Sequence, residues 1–211
     1  MRFIYLHGFA SSPQSGKAVY LREAFAALGI SLEVLDLNQD DFSHLTITGQ
    51  LHQVERVFPS DGTPITLIGS SLGGLTAAWL GQRRLQVEQL VLLAPAFGFL
   101  FHWLPKLGEE QLSQWRSEGY LSVYHYGEGR SLPLHYKFVE DAHQYQETQL
   151  VRPAPTLILH GRQDEVIPIE ASRDYASIRP WVQLIEFDSD HALSNVMPEI
   201  WGAIQAFYQL T

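Results

Sequence analysis

Six short apolar runs, RFIYLHG (2–8), LEVLDLN (32–38), PITLIGS (64–70), EQLVLLAPAF (88–97), APTLILHG (154–161) and VQLIEFD (182–188), recur along the chain, several of them rich in β-branched residues. Each is nearly continuous rather than alternating, the mark of a strand buried on both faces. Helical patterns separate them, at about 13–28, 44–57, 72–84, 170–178 and 198–210. For the first helix, Ser12 is the expected N-cap, Pro13 suits the first turn and Gly29 the C-terminal stop. The alternation predicts an α/β fold of three layers, a mostly parallel twisted sheet with helices on both faces. Ligands of such sheets bind beyond the carboxyl ends of the strands, so function is expected just after each run.

One segment breaks the alternation. Residues 98–150 hold 10 of the chain's 25 aromatic residues and include YLSVYHYGEGRSLPLHYKF, two partly alternating runs around Gly127-Glu128-Gly129-Arg130 that predict a hairpin. This stretch is expected to be a cap-like insertion in a single domain spanning residues 1–211, a length that suits one core. The net charge of −9, with 14 scattered Lys and Arg, argues against nucleic acid as a partner. There is no cysteine, which removes disulfides, thiolate catalysis and Cys-ligated zinc. No apolar run reaches membrane-spanning length and Phe3–Leu6 is short for a signal peptide, so a cytoplasmic protein is expected, its oligomeric state left open.

The chemistry centres on LIGSSLGGL (67–75), where Gly69-x-Ser71-x-Gly73 matches G-x-S-x-G. That motif needs a buried strand before it and a helix after it, because the serine occupies a tight strained turn. PITLIG and LGGLTAAWL supply both, and only Ser71, not Ser70, has glycine two residues away on each side. A serine nucleophile requires a base, oriented in turn by a carboxylate. In the chain order Ser, acid, His, the candidates are Asp164 in LHGRQDEVIP and His191 in FDSDHAL, each following a predicted strand. Glu165 and Asp36 stay open as acids, and His7 and His160 are expected to shape loops. The amides of Leu72, opening the helix, and Phe9, after His7-Gly8, are the candidate oxyanion donors. Turnover should then rise with pH as the imidazole becomes neutral.

At YLHGFASSPQSGKA, GSSLGGLTAAWL, GRQDEVIP and DHAL the chain resembles the small YqiA-type esterases of the α/β-hydrolase superfamily. The resemblance covers most of the predicted sheet and fades across 98–150. It implies Ser71, Asp164 and His191 as nucleophile, acid and base, acting on a carboxylic ester or thioester. No cofactor and no metal is implied, since the dinucleotide, phosphate-loop and His-Glu-x-x-His patterns are absent. Aromatics of the insertion, with Trp103, Trp115 and Tyr124 foremost, are expected to wall a pocket for a small-molecule acyl ester. Anionic carriers would need a cation at the entrance, for which Lys106, Arg116, Arg130 and Lys137 are candidates. Two other readings remain: a binding protein without catalysis, and a triad hydrolase acting on a carbon–carbon or peptide bond.

Overall fold

The computed structural model describes residues 1–38 and 41–210. In chain order its elements are β1 (Arg2–Leu6), α1 (Gly16–Ala27), β2 (Leu32–Leu35), α2 (Ile47–Glu55), β3 (Ile65–Ser70), α3 (Leu72–Arg83), β4 (Val87–Leu93), α4 (Phe99–Glu118), β5 (Tyr120–His125), β6 (Arg130–His135), α5 (Lys137–Ala142), β7 (Thr156–Gly161), α6 (Ile169–Ser177), β8 (Val182–Phe187) and α7 (Met197–Tyr208). Six strands form one parallel sheet in the order β2-β1-β3-β4-β7-β8. All six sequence runs are in it.

Continuous apolar strands arise here because both sheet faces are covered. Ile4, Leu6, Leu67, Leu90 and Leu92 join a cluster with α2 and α3, while their neighbours Phe3, Tyr5, Ile68, Val91 and Leu93 join a second cluster with α1 and α7. Successive side chains of a strand point to opposite faces, so each run must be apolar throughout.

Two helix starts differ from expectation. Helix α1 begins at Gly16 rather than Pro13, because Ser15 N–H donates to the Ser12 carbonyl (3.1 Å) and Gln14 N–H to Ser12 Oγ (3.2 Å), closing a turn first. Its stop holds to plan, with Gly29 at φ 71° donating to the Ala26 carbonyl. Helix α2 starts at Ile47, where the Thr46 side chain accepts the Gly49 N–H, and a short 3-10 turn occupies Phe42–His44.

The insertion leaves after β4 and returns to β7, its neighbour in the sheet, so it rises from the carboxyl edge. Its β5–β6 pair is the antiparallel hairpin expected. Helix α4 carries a break at Gly108 (φ 78°, ψ 160°) and ends at Gly119 (φ 84°). Trp115, Leu121, Leu134, Tyr136 and Phe138 belong to the same apolar cluster as Ile4 and Leu67 of the sheet. The hairpin tip rests on the loop after β1: Tyr126 N–H donates to the Ala10 carbonyl at 2.7 Å. His125 Nδ1 accepts the Glu128 N–H, leaving Nε2–H to donate to Asn38 Oδ1 (3.1 Å), and Asn38 Nδ2 donates to the Ser11 carbonyl.

Candidate active site

Ser71 is the hinge between β3 and α3, and its backbone has φ 53° and ψ −118°, a conformation that side chains rarely adopt. The turn is held by the Ser71 carbonyl, which accepts the N–H groups of Gly74, Leu75 and Ala96, and by Ser71 N–H donating to the Leu93 carbonyl. Both flanking glycines are required by close approach. A Cβ on Gly69 would lie 2.3 Å from the Gly73 carbonyl oxygen, and one on Gly73 would lie 2.2 Å from that of Leu6. Ser70 ends β3 in register with Leu93 and is buried.

Three loops from the carboxyl edge bring Ser71, Asp164 and His191 together. His191 Nε2 is 3.1 Å from Ser71 Oγ, and His191 Nδ1 is 2.7 Å from Asp164 Oδ2. A carboxylate only accepts, so Nδ1 carries the proton and Nε2 is free to accept from the hydroxyl.

Asp164 accepts four hydrogen bonds. Val166 N–H and Ile167 N–H each reach Oδ1 at 2.8 Å, while His160 Nε2 (3.0 Å) joins His191 at Oδ2. Burial on its own raises the carboxyl pKa, but the bonds from His160, His191 and the Ile167 amide outweigh it and hold the group well below the usual carboxylate range. From sequence alone His160 reads as a loop-shaping residue. It is fully buried, with Nδ1 on Ser172 Oγ (2.7 Å) and Nε2 shared between Asp164 and the Ile167 carbonyl. Its one signal was its place at a strand end four residues before the acid, which a loop-shaping histidine shares.

The rival acids lie elsewhere. Asp36 Oδ1 accepts from the backbone and side chain of Asn38, and the Glu165 carbonyl accepts from Lys106 Nζ. His7 ties the first loop to the end of β2, its Nδ1–H donating to the Gly8 carbonyl and its Nε2 accepting the Leu37 N–H. The His191 loop has supports of its own. Asp190 Oδ1 accepts the Ala192 and Leu193 N–H groups, and Lys17 Nζ donates to the Ala192 and His191 carbonyls at 3.0 and 3.4 Å. Burial pulls the Lys17 ammonium down to about 8, against the attraction of Asp164 and Asp190.

Among the described residues no group accepts a hydrogen bond from the Phe9 or Leu72 amide. Both residues line a cavity of about 350 Å³ together with Ser71. A Cβ on Gly8 would sit 3.2 Å from Ser71 Cβ, so glycine lets this loop close on the serine.

Of the three aromatics singled out for the pocket, Trp103 lines this cavity, alongside Phe99 and Phe138. Trp115 stands behind it, buried, edge-on to Trp103 at 5.6 Å and donating Nε1–H to the Leu134 carbonyl. Tyr124 is 52% exposed on the outer side of the hairpin, and the wall residue there is its edge-on neighbour Tyr126. Strand alternation turns Tyr124 outward, since Leu121 and His125 take the inward positions of β5, and Tyr126, 78% exposed, reaches the cavity rim from just beyond the strand's end. Among the four cations considered for the entrance, Lys106 alone lines the cavity.

Among the described residues no helix is long and apolar enough to cross a membrane. No curated protein matches the chain in sequence. Solved structures match over nearly its whole length. A proposed hydrolase from Agrobacterium vitis S4 is 25% identical, with TM-score 0.83 over 98% of this chain and 87% of that one. Est1E from Butyrivibrio proteoclasticus, solved with ferulic acid bound, is 21% identical (TM-score 0.80, 98% and 87% covered). A monoacylglycerol lipase from Paleococcus ferrophilus is 18% identical (TM-score 0.80, 99% and 94% covered). The fold is that of the α/β-hydrolases. Over residues 2–209 the chain matches the model of an uncharacterised protein family, UPF0227, and it belongs to that family.

Proposed function

We propose that the chain is a serine hydrolase cleaving carboxylic esters of small to medium acyl groups, with residues 98–150 forming the cap of its pocket. The observation that carries this reading is the relay from Asp164 Oδ2 through both nitrogens of His191 to Ser71 Oγ, delivered to a strained strand-to-helix turn. Ser71 Oγ bonds to the ester carbonyl carbon as His191 Nε2 takes its proton, and Asp164 stabilises the imidazolium that forms. The amides of Leu72 and Phe9 donate to the oxygen that gains charge. Collapse releases the alcohol, which leaves with the proton from His191. Water then attacks the acyl-enzyme by the same route, freeing the acid and regenerating Ser71. Esterase and lipase neighbours of the same fold support hydrolysis as the class.

The test is covalent. A fluorophosphonate should label Ser71 in the wild type and leave Ser71→Ala unlabelled; labelling of the Ala variant, or of Ser70, would remove the proposal. The pocket offers a second measurement. Each methylene buried among Phe9, Phe99, Trp103 and Phe138 should raise kcat/KM about 4-fold, from about 0.8 kcal/mol of burial. Trp103→Ala is expected to shift the optimum of an aryl ester series to longer acyl chains, while Tyr124→Ala leaves the profile in place. Identical profiles in wild type and Trp103→Ala would move the acyl site elsewhere.

A further inference from the structure

The cavity beside Ser71 is walled by apolar side chains and carries one charged residue, Lys106. Lys106 is exposed at the rim of the cavity, and its ammonium is tethered there by one hydrogen bond. Nζ donates to the Glu165 carbonyl at 2.8 Å, which carries the head of a residue of α4 across to the loop that bears Asp164. Among the described residues Lys106 has no carboxylate partner. An ammonium has three donors, so two remain for a ligand. A cation already fixed in place loses less rotamer freedom on binding than a free side chain does. The chain's overall net charge of −9 disfavours anions, which leaves this lysine as a local exception at the cavity rim.

Resting on the hydrolase reading above, we propose that the substrate is an ester whose apolar part fills the aromatic cavity and whose far end is an anionic group, a carboxylate or phosphate, received by Lys106. The reactive carbonyl then lies at Ser71. This arrangement selects substrates by charge as well as by chain length, two criteria that different walls of one cavity apply.

The test uses aryl monoesters of a dicarboxylic acid such as adipic acid, with the distal carboxylate free or capped as its methyl ester, and a matching pair with a distal phosphate free or esterified. The readout is the ratio of kcat/KM for the free anion over the capped form. Loss of a charge-assisted hydrogen bond, at about 1.4 kcal/mol, corresponds to a ratio about 10-fold lower in Lys106→Met than in wild type. Lys106→Arg should restore much of it, and added salt should lower it in wild type. The larger drop identifies carboxylate or phosphate as the preferred anion. If Lys106→Met leaves both ratios unchanged, including by slowing both members of each pair equally, the lysine is only a strut between α4 and the Asp164 loop and the proposal fails. Should that variant not fold, competitive inhibition of the wild type decides: adipate must bind more tightly than hexanoate, and equal or weaker binding overturns the idea. Ser71→Ala run beside these tests the hydrolase reading separately, because retained turnover there would sink that reading whatever the ratios show.

Discussion

Ser71→Ala is expected to lower turnover of an aryl ester by about 10⁴-fold or more while leaving the thermal midpoint nearly unchanged, and Ser71→Gly to lower it as far while raising the midpoint. Both remove Oγ, so both leave His191 without the hydroxyl it contacts at 3.1 Å. They differ in the backbone. Alanine keeps the Cβ that makes φ 53°, ψ −118° costly, whereas glycine adopts it freely. Relief of strain of that order, less the added entropy of an unfolded glycine, leaves about 1 kcal/mol, or roughly 3 °C for a chain of this size. Calorimetry of the two variants measures it, and a Ser71→Gly midpoint below that of Ser71→Ala would contradict strain at this turn.

Asp164→Asn carries the second large effect, on turnover and stability together. Two donors converge on each carboxylate oxygen, so an amide NH₂ on the Oδ1 side opposes the Val166 and Ile167 N–H groups, and on the Oδ2 side it is accepted only if an imidazole changes tautomer. Unsatisfied donors in a buried site cost about 3 kcal/mol, roughly 10 °C here. Turnover should fall on the order of 10⁴-fold as His191 loses the partner that fixes its tautomer. The pH dependence has a definite sign. The folded carboxyl titrates below its unfolded value, near ~3.9 for aspartate, so its stabilisation is complete above that value and is lost as pH falls through the depressed one. The gap in midpoint between wild type and Asp164→Asn should stay constant from neutral pH to about 5 and narrow only in stronger acid. A gap that widens as pH falls from 7 to 5 would show a raised carboxyl, and one that stays constant on into strong acid an ordinary one.

What the sequence made legible was the part fixed by local rules. Six apolar runs marked six strands because a strand covered on both faces has no polar position to hide. Gly69 and Gly73 marked the tight turn because their missing side chains are where backbone meets backbone. Loop position then named Asp164 and His191, which the structure brings to 2.7 Å of each other. Tertiary contacts decided the rest. Helix α4 had no clear pattern, since Pro105 and the break at Gly108 divide it and its first half sets Phe99 and Trp103 toward the cavity while leaving the apolar Phe101 exposed. His160 was equally opaque, because its partners Ser172 and Asp164 are brought to it by the fold.

The contact between hairpin tip and first loop bears on how substrate range can be transferred between relatives. The carbonyl of Ala10 is satisfied by Tyr126, and Asn38 links His125 to Ser11, so the segment carrying the Phe9 amide and the insertion share one hydrogen-bonded seam. A chimaera that exchanged residues 98–150 alone would leave that seam with mismatched halves and disturb the amide as well as the pocket. A productive graft would have to bring residues 9–12 and 38 along with residues 98–150, which makes the inheritable unit discontinuous in sequence.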